Sequence, residues 1–242
     1  MILNINGISI DAQYTDQSVN TIFLPLLHRL SSLHTQKQTR ILAMIAAPPG
    51  AGKTTLVSFL ERIAPDMIPE KTVQAIGMDG FHRRQEYLLS HTICMDGKEI
   101  PMVQIKGAPV TFDMERLRNK TGEIRNGCKW PRYDRLLHNP VEDAVSVDAD
   151  IVILEGNYLL LDEEGWRDLS LYADYTVSIT AGEELLRERL ISRRIATGVK
   201  REDAEAFVDF SDMANVRLCI EKMKPAELQL EILKDNDIIR RA

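Results

Sequence analysis

The sequence predicts an α/β protein built on a five-stranded parallel sheet flanked by helices. Strand-like and helix-like segments alternate from Ile41 to the end of the chain, and this order is typical of parallel strands joined by helices. The segment 150–155 is one continuous apolar run, which is typical of a strand buried on both faces. With 242 residues, 44% of them hydrophobic, the chain is long enough to bury a sizeable core.

The elements follow one another along two predicted regions. Residues 1–40 contain an alternating segment, 2–10, and an amphipathic helix pattern interrupted by Pro25, and we expect an N-terminal extension packed on the core. Residues 41–242 would form the main domain. Its strands are predicted at 41–47, 72–78, 150–155, 175–179 and 227–232, and its helices run from Lys53 to about Ile63, from Asp113 past Arg118, and over 183–194.

The segment that follows the first predicted strand has the pattern of a phosphate-binding loop. It reads Ala47-Pro48-Pro49-Gly50-Ala51-Gly52-Lys53-Thr54-Thr55. Main-chain N–H groups from Gly50 to Thr55 can converge on phosphate oxygens, Lys53 adds a mobile charge, and Thr54 offers a hydroxyl to Mg²⁺. Ala47 replaces the first glycine of the pattern, so a positive φ is not expected there. The alternative, a structural glycine turn, is disfavoured by the strand before it and the helix after it.

Acidic residues stand at the ends of two predicted strands. Asp79 follows the strand 72–78, and Glu155 ends the strand 150–155. Ligands of open α/β sheets bind beyond the carboxyl ends of the strands. Asp79 could therefore accept a proton from an attacking hydroxyl, and Glu155 could order Mg²⁺ through water. The alternatives are a turn aspartate before glycine and a solvated strand-end carboxylate.

The helix 183–194 carries several arginines near its end. Arg189 and Arg193 are four residues apart and share one face, Arg194 follows, and Thr197-Gly198 comes directly after the helix. We expect a lid over residues 187–201 that closes on transferring phosphates and screens their charge. The alternative is a solvated charged face.

Charge, cysteine content and hydropathy exclude several classes of function. A formal charge of −6 disfavours a nucleic-acid polymer as partner. Three widely spaced cysteines argue against a disulfide framework or a zinc site, and the five histidines show no metal-ligand spacing. No basic leader and no apolar run of about 20 residues is present. We therefore expect a cytoplasmic protein without a membrane partner that acts on a small molecule, and a homodimer is compatible with the sequence.

Four motifs resemble those of the phosphoribulokinase, uridine kinase and pantothenate kinase family. They are 78–82 (MDGFH), 106–113 (KGAPVTFD), 131–134 (PRYD) and 155–161 (EGNYLLL). Within that family the chain looks most similar to bacterial proteins described as nucleoside or fructose-transport-system kinases. The resemblance implies a P-loop kinase fold with a lid and an acceptor-binding insertion, which we place at 81–140, where the connection is too long for an ordinary loop.

The same resemblance implies roles for individual residues. Asp79 would be the catalytic base, Glu155 would help to hold Mg²⁺ together with Thr54, and the lid would include Arg189 to Arg194. Acceptor-binding residues would be His82, Arg83, Lys106, Tyr133 and His138. The spacing of Tyr133 and His138 matches uridine kinases, whereas Lys106-Gly107 is more similar to pantothenate kinases. Asn215 resembles a position near the adenine.

The predicted function is ATP-dependent transfer of the γ-phosphate to a hydroxyl of a nucleoside, a sugar or a pantothenate-like alcohol. ATP and Mg²⁺ are the expected cofactors, and the predicted catalytic residues are Asp79, Lys53, Arg189, Arg193 and Arg194. A GTPase would need a guanine-reading motif late in the fold, and only the segment 119–122 (NKTG) comes near. A regulatory nucleotide-binding ATPase module without phosphotransfer is the second alternative.

Overall fold

The computed structural model describes residues 1–5, 8–95, 97–235 and 237–241. The strands in chain order are β1 Ile2–Ile5, β2 Ile8–Asp11, β3 Ile41–Ala46, β4 Val73–Gly77, β5 Thr92–Met95, β6 Lys98–Pro101, β7 Cys128–Asp134, β8 Asn139–Val147, β9 Ile151–Gly156, β10 Tyr175–Ala181, β11 Leu228–Ile232 and β12 Ile238–Arg240. The α-helices are α1 Asp16–Ser18, α2 Leu24–Lys37, α3 Lys53–Met67, α4 Gln85–Ser90, α5 Met114–Glu123, α6 Glu183–Ala196, α7 Arg201–Phe207 and α8 Met213–Lys222.

A six-stranded sheet forms the centre of the molecule, in the order β12-β11-β10-β3-β9-β4. The five strands predicted from the sequence are all present and parallel. The sixth, β12, pairs antiparallel with β11 at the edge and was not predicted, because three residues give no clear alternation. Ile45 of β3 and Gly77 of β4 both lie opposite Glu155 of β9. The carboxyl ends of these three strands are therefore level with one another.

Apolar side chains cover both faces of the sheet because successive residues of a strand point to opposite sides. In β3, Ile41 and Ile45 belong to one core, and Leu42 and Met44 belong to the other. The first core also contains residues of α3, α6 and α8, and the second contains residues of the segment between β4 and β9. All four of these β3 side chains are fully buried, which fixes the strand that leads into the phosphate loop.

The N-terminal residues pack on the first core through one helical segment. Phe23, Leu27 and Leu30 are completely buried in it. The sequence predicts that Pro25 interrupts this helix, but the helical chain runs from α1 through a π-helical stretch, Val19–Phe23, into α2. Pro25 lies in the first turn of α2, where the irregular stretch before it accommodates a residue without an N–H group.

The segment between β4 and β9 forms a compact unit of its own rather than an irregular loop. It contains two hairpins, β5–β6 and β7–β8, the helices α4 and α5, and several 3₁₀ turns. Trp130 of β7 is buried and donates from Nε1 to the carbonyl oxygen of Gly77 at 2.9 Å. A Cβ at Gly80 would lie 2.2 Å from the carbonyl oxygen of Pro131, so only glycine allows β7 to cross the 3₁₀ turn Met78–Phe81. This unit is therefore anchored beside Asp79.

No helix within the described ranges has both the length and the apolar character that crossing a bilayer requires. The cysteines Cys94, Cys128 and Cys219 are all free thiols.

Candidate active site

The phosphate loop connects β3 to α3 and depends on two glycines with positive φ. Gly50 has φ +83° and Gly52 has φ +79°. A Cβ at Gly50 would lie 3.2 Å from the carbonyl oxygen of Leu186 in α6, so both the conformation and the space favour glycine. Ala47 is buried and does not have a positive φ, which explains why the first glycine of the pattern can be replaced here.

The end of β9 and the start of α3 meet at a hydrogen bond. The Thr54 hydroxyl donates to Oε1 of Glu155 at 2.8 Å, and Glu155 is 7% exposed. Burial raises the pKa of Glu155, the charge of Lys53 opposes this shift, and the charge of Asp79 adds to it. A hydroxyl and a carboxylate are hard oxygen donors of the kind that Mg²⁺ prefers. These two residues therefore fit a magnesium ion.

Protein side chains alone do not complete that metal site. No cluster of three or more His, Cys, Asp or Glu side chains suited to a metal occurs among the described residues. Mg²⁺ usually keeps several waters and binds one or two protein groups together with substrate phosphates. Thr54 and Glu155 beside the phosphate loop match that pattern.

A cleft of about 1190 Å³ opens beside the phosphate loop. It is larger than the ~300–1000 Å³ typical of small-molecule sites, so it has room for the end of a nucleotide and a second substrate. Nine of the residues singled out from the sequence line it: Lys53, Asp79, His82, Lys106, Tyr133, His138, Arg193, Arg194 and Asn215.

Asp79 is exposed at the floor of this region. It lies in the 3₁₀ turn that directly follows β4, and it also lines a smaller cavity of about 170 Å³ together with Thr54 and Glu155. Asp79 therefore lies between the candidate metal site and the large cleft. A carboxylate in this place can meet both the terminal phosphate of a bound nucleotide and a group that enters from the cleft.

Aromatic side chains form one wall of the cleft. The His82 ring stacks on Phe112 with centroids 3.9 Å apart and meets the edge of Tyr133 at 5.3 Å. The pKa of His82 is lowered, mainly because the ring is buried. The negative charge of Asp79 opposes this shift, and the positive charge of Lys106 adds to it. Tyr133 and His138 flank the turn of the β7–β8 hairpin, so their spacing reflects the length of that turn.

Two arginines at the end of α6, Arg193 and Arg194, line the cleft. Arg194 bonds Asp212 through Nε and Nη2 at 3.2 and 3.1 Å and lies 3.6 Å above the Phe207 ring. Arg193 lines the cleft within electrostatic range of Asp79 and Asp212. These two side chains therefore face the site from the end of α6, held against the segment that follows α7.

Two of the predicted arginines, Arg189 and Arg83, lie outside the cleft lining. Arg189 donates from Nη1 to the carbonyl oxygen of Gly50 at 3.3 Å and interacts with Tyr14 of the N-terminal segment, so it contacts the phosphate loop from the side of the extension. The Arg83 guanidinium lies 4.7 Å above the Tyr87 ring of α4.

Asn215, which the resemblance assigns to the adenine, is one of the residues that line the cleft. The residue is buried at the start of α8, and its Nδ2 lies 3.8 Å from the position that a Cβ at Gly107 would occupy. It lines the same cleft as Lys106 and Asp212.

Sequence reasoning assigned no role to four charged residues of the cleft, Arg132, Asp134, Arg135 and Asp212. Arg132 and Arg135 lie on either side of Tyr133 in the β7–β8 hairpin. Burial is the main cause that raises the pKa values of Glu155 and Tyr133, and the nearby charge of Arg135 opposes both shifts. Arg132 lies within the motif 131–134 and Arg135 directly follows it, and this position is the signal that could have identified them. Asp212 gave no such signal, because only the fold brings it to Arg194.

The segment considered for guanine recognition is helical. Asn119 and Lys120 lie within α5, where Lys120 pairs with Glu123 at 2.8 Å. This helix position does not form a base-reading loop.

Comparisons with known proteins identify the family of this chain. The chain is 40% identical over 235 residues to the uncharacterized protein YggC of Escherichia coli K12, which covers 96% of this chain and 95% of that protein. It is 30% identical over 207 residues to a "Putative uridine kinase" of Schizosaccharomyces pombe, over 81% of this chain and 85% of the relative. The chain belongs to the P-loop kinase family. Pantothenate kinase of Ligilactobacillus salivarius is a more distant relative of this P-loop kinase, at 27% identity over 76% of the chain and 64% of that enzyme.

Solved structures show the same fold. A "putative fructose transport system kinase" from Silicibacter sp. TM1040 superposes on the P-loop kinase with a TM-score of 0.76 at 27% identity, over 86% of this chain and 98% of the other. Phosphoribulokinase from Rhodobacter spheroides has a TM-score of 0.55 at 13% identity, over 82% and 72% of the two chains, and supports the fold alone. No family model matches the sequence.

Proposed function

We propose that this P-loop kinase transfers the γ-phosphate of ATP to a hydroxyl group of a small molecule, such as a nucleoside, a sugar or a pantothenate-like alcohol. The observation that carries the proposal is the position of Asp79, which lines both the large cleft with Lys53 and the small cavity with Thr54 and Glu155. Relatives named as kinases for uridine and pantothenate support this class of reaction.

The phosphate loop would bind the nucleotide and orient it for in-line transfer. N–H groups of the loop and the amino end of α3 would face the phosphates, and Lys53 would contact the terminal ones. Bound Mg²⁺, held by Thr54 and Glu155, would neutralise part of the phosphate charge. Arg193 and Arg194 would stabilise the charge that develops on the transferring group.

Asp79 would accept the proton of the acceptor hydroxyl as that oxygen attacks the γ-phosphorus. The bond from phosphorus to the acceptor oxygen forms, the bond to the bridging oxygen of ADP breaks, and the proton passes to the Asp79 carboxylate. The wall formed by His82 and Tyr133 would orient the acceptor, which accounts for a large part of the barrier lowering in transfers of this kind.

A regulatory ATPase without an acceptor is the main alternative. It would need no second pocket, whereas the unit between β4 and β9 is anchored at Gly77 and supplies most of one wall of the cleft. A second wall held in place beside the phosphate loop favours a kinase with a small-molecule acceptor.

The proposal is tested by ADP release from ATP and Mg²⁺ with a panel of nucleosides, sugars, sugar phosphates and pantothenate. We expect one acceptor class to stimulate release, and Asp79→Asn to lower the stimulated rate by about 10²–10⁴-fold while ATP affinity changes little. Asp66→Asn, an exposed carboxylate in α3, is the matched control and should behave as the wild type. An equal rate in Asp79→Asn would reject the assigned base.

A further inference from the structure

The ammonium group of Lys106 is half-buried in the cleft wall and has neutral partners. Its Nζ donates to Oε1 of Gln85 at 2.7 Å and to the carbonyl oxygen of His138 at 3.1 Å, and it lies 5.1 Å from the centre of the Tyr133 ring. No carboxylate among the described residues pairs with it, and burial alone lowers the pKa of Lys106. A desolvated cation without a counter-charge is costly unless a ligand supplies one.

The loop that carries Lys106 is held in place. The buried Tyr158 hydroxyl donates to the carbonyl oxygen of Gly107 at 2.6 Å, and the Gly107 N–H donates to the Thr111 hydroxyl at 3.1 Å. Gly107 has φ +108°, a conformation that favours glycine. The position of the ammonium is therefore fixed before any ligand binds, which is the property of a binding group rather than of a mobile surface lysine.

Basic residues outnumber acidic ones around the same cleft. The basic residues are Lys53, Lys106, Arg132, Arg135, Arg193 and Arg194, and the acidic residues are Asp79, Asp134 and Asp212. The phosphates of ATP account for Lys53 and the two arginines of α6. Arg132 and Arg135 form no ion pair in the part of the chain that the structure describes, so the acceptor side keeps an excess of positive charge that favours an anionic occupant.

We propose that the acceptor alcohol carries an anionic group, a carboxylate or a phosphate, which binds Lys106 while the reacting hydroxyl lies at Asp79. This inference rests on the proposed function for the identity of the occupant. Two of the three Nζ donors are used by neutral oxygens, which leaves one for the anion. His82 interacts with both Asp79 and Lys106, so the two ends of such an acceptor would flank this ring. A neutral nucleoside would leave Lys106 without a counter-charge.

The test measures binding without transfer. Protein saturated with a non-hydrolysable ATP analogue and Mg²⁺ is titrated by calorimetry with matched pairs: pantothenate against neutral panthenol, and ribose 5-phosphate against ribose, with inorganic phosphate as a probe. We expect the anionic member of at least one pair to bind about tenfold or more tightly than its neutral counterpart. The first pair reports a carboxylate and the second a phosphate.

Variants assign the preference to Lys106. Lys106→Gln should abolish it, Lys106→Arg should keep most of it, and Lys129→Gln, which removes a lysine bonded to Ser146 outside the cleft, should leave it unchanged. The proposal is overturned if the preference survives in Lys106→Gln, if neutral members bind the wild type equally well, or if none of the anions binds. Stimulated ADP release with neutral alcohols alone would support the kinase and overturn the anion site. Anion binding without ADP release from any acceptor would support the anion site and overturn the proposed kinase activity.

Discussion

Thr54 and Glu155, which are 101 residues apart in the sequence, are joined by a 2.8 Å hydrogen bond between a hydroxyl and a carboxylate. The contact links the first turn of α3 to the end of β9, and Glu155 lies opposite both Ile45 and Gly77 in the sheet. The candidate metal site thus lies where β3 and β9, which are neighbours in the sheet, end, beside the end of the edge strand β4 that positions Asp79.

Replacement of Glu155 by glutamine should separate stability from activity. Glu155 is buried, and burial is the main cause that raises its pKa, so its charged form is costly in the folded protein without metal. In Glu155→Gln we expect a metal-free free energy of unfolding that is unchanged or higher by about 1 kcal/mol, and a magnesium-dependent transfer rate lower by about 10²-fold or more. Thermal unfolding measures the free energy of unfolding, and ADP release measures the transfer rate.

The matched control is Glu163→Gln, which removes a partly exposed carboxylate paired with Lys222. It should change neither quantity by a large amount. A clear loss of stability in metal-free Glu155→Gln would show that the carboxylate stabilises the fold, contrary to this account.

Loss of Lys53 should weaken nucleotide binding and transfer together. Lys53 begins α3 and lines the cleft, so its ammonium is expected to contact the terminal phosphates in both the ground state and the transition state. Lys53→Ala should lower ATP affinity by about tenfold or more and slow transfer as well. Nucleotide titration and steady-state rates check this, and an unchanged ATP affinity would contradict it.

The contact of Arg194 with Asp212 and Phe207 predicts that lysine cannot replace this arginine. The guanidinium bonds the carboxylate through two nitrogens and stacks on the ring, and a lysine can do neither in the same way. We expect Arg194→Lys to lower kcat by about tenfold or more with a smaller effect on ATP affinity. Arg201→Lys, on an exposed residue paired with Glu205, should act as the wild type, and equal kcat values for both variants would count against a role of Arg194 in transfer.

Asp174 predicts a defined loss of stability in acid. Burial alone would raise its pKa, but hydrogen bonds from Arg125, Lys37 and the Leu42 N–H outweigh this and lower it below the usual 3.8. Because the pKa is lower in the folded than in the unfolded state, the stabilisation is present above about pH 4 and is lost as the pH falls through the folded value.

Asp174→Asn should therefore be less stable than the wild type by about 1–2 kcal/mol at pH 7, and the difference should shrink below about pH 4. Thermal unfolding of both proteins at pH 7 and pH 3 measures this. A difference that stays constant over that range would contradict the assignment.

The sequence was sufficient for the strands and for the loop, because these depend on local pattern. Alternation of segments predicted the five parallel strands, and the spacing of glycines in 47–55 predicted the phosphate loop. β12 has only three residues and gave no pattern of its own. The hydrogen bond between Thr54 and Glu155 depends on the order of the strands, which periodicity does not contain.

The distribution of charged residues over the site was harder to predict. Arg189 and Arg193 share one helix face, as their spacing indicates, but one turn of α6 separates the contact with Gly50 from the cleft. The spacing of two residues in a sequence shows that they share a helix face, but it does not show which part of that face lies at the active site. Asp212 reaches the cleft only because the stretch Val208–Asp212 packs against the end of α6, so no local signal marked it.

The most direct test follows phosphorus rather than ADP. Wild-type protein, Mg²⁺ and ATP are incubated with each member of the acceptor panel, and ³¹P NMR records where the γ-phosphate goes. We predict that a phosphomonoester resonance of one acceptor grows in step with ADP and is nearly absent with Asp79→Asn. Release of inorganic phosphate alone, with every acceptor unchanged, would contradict the account.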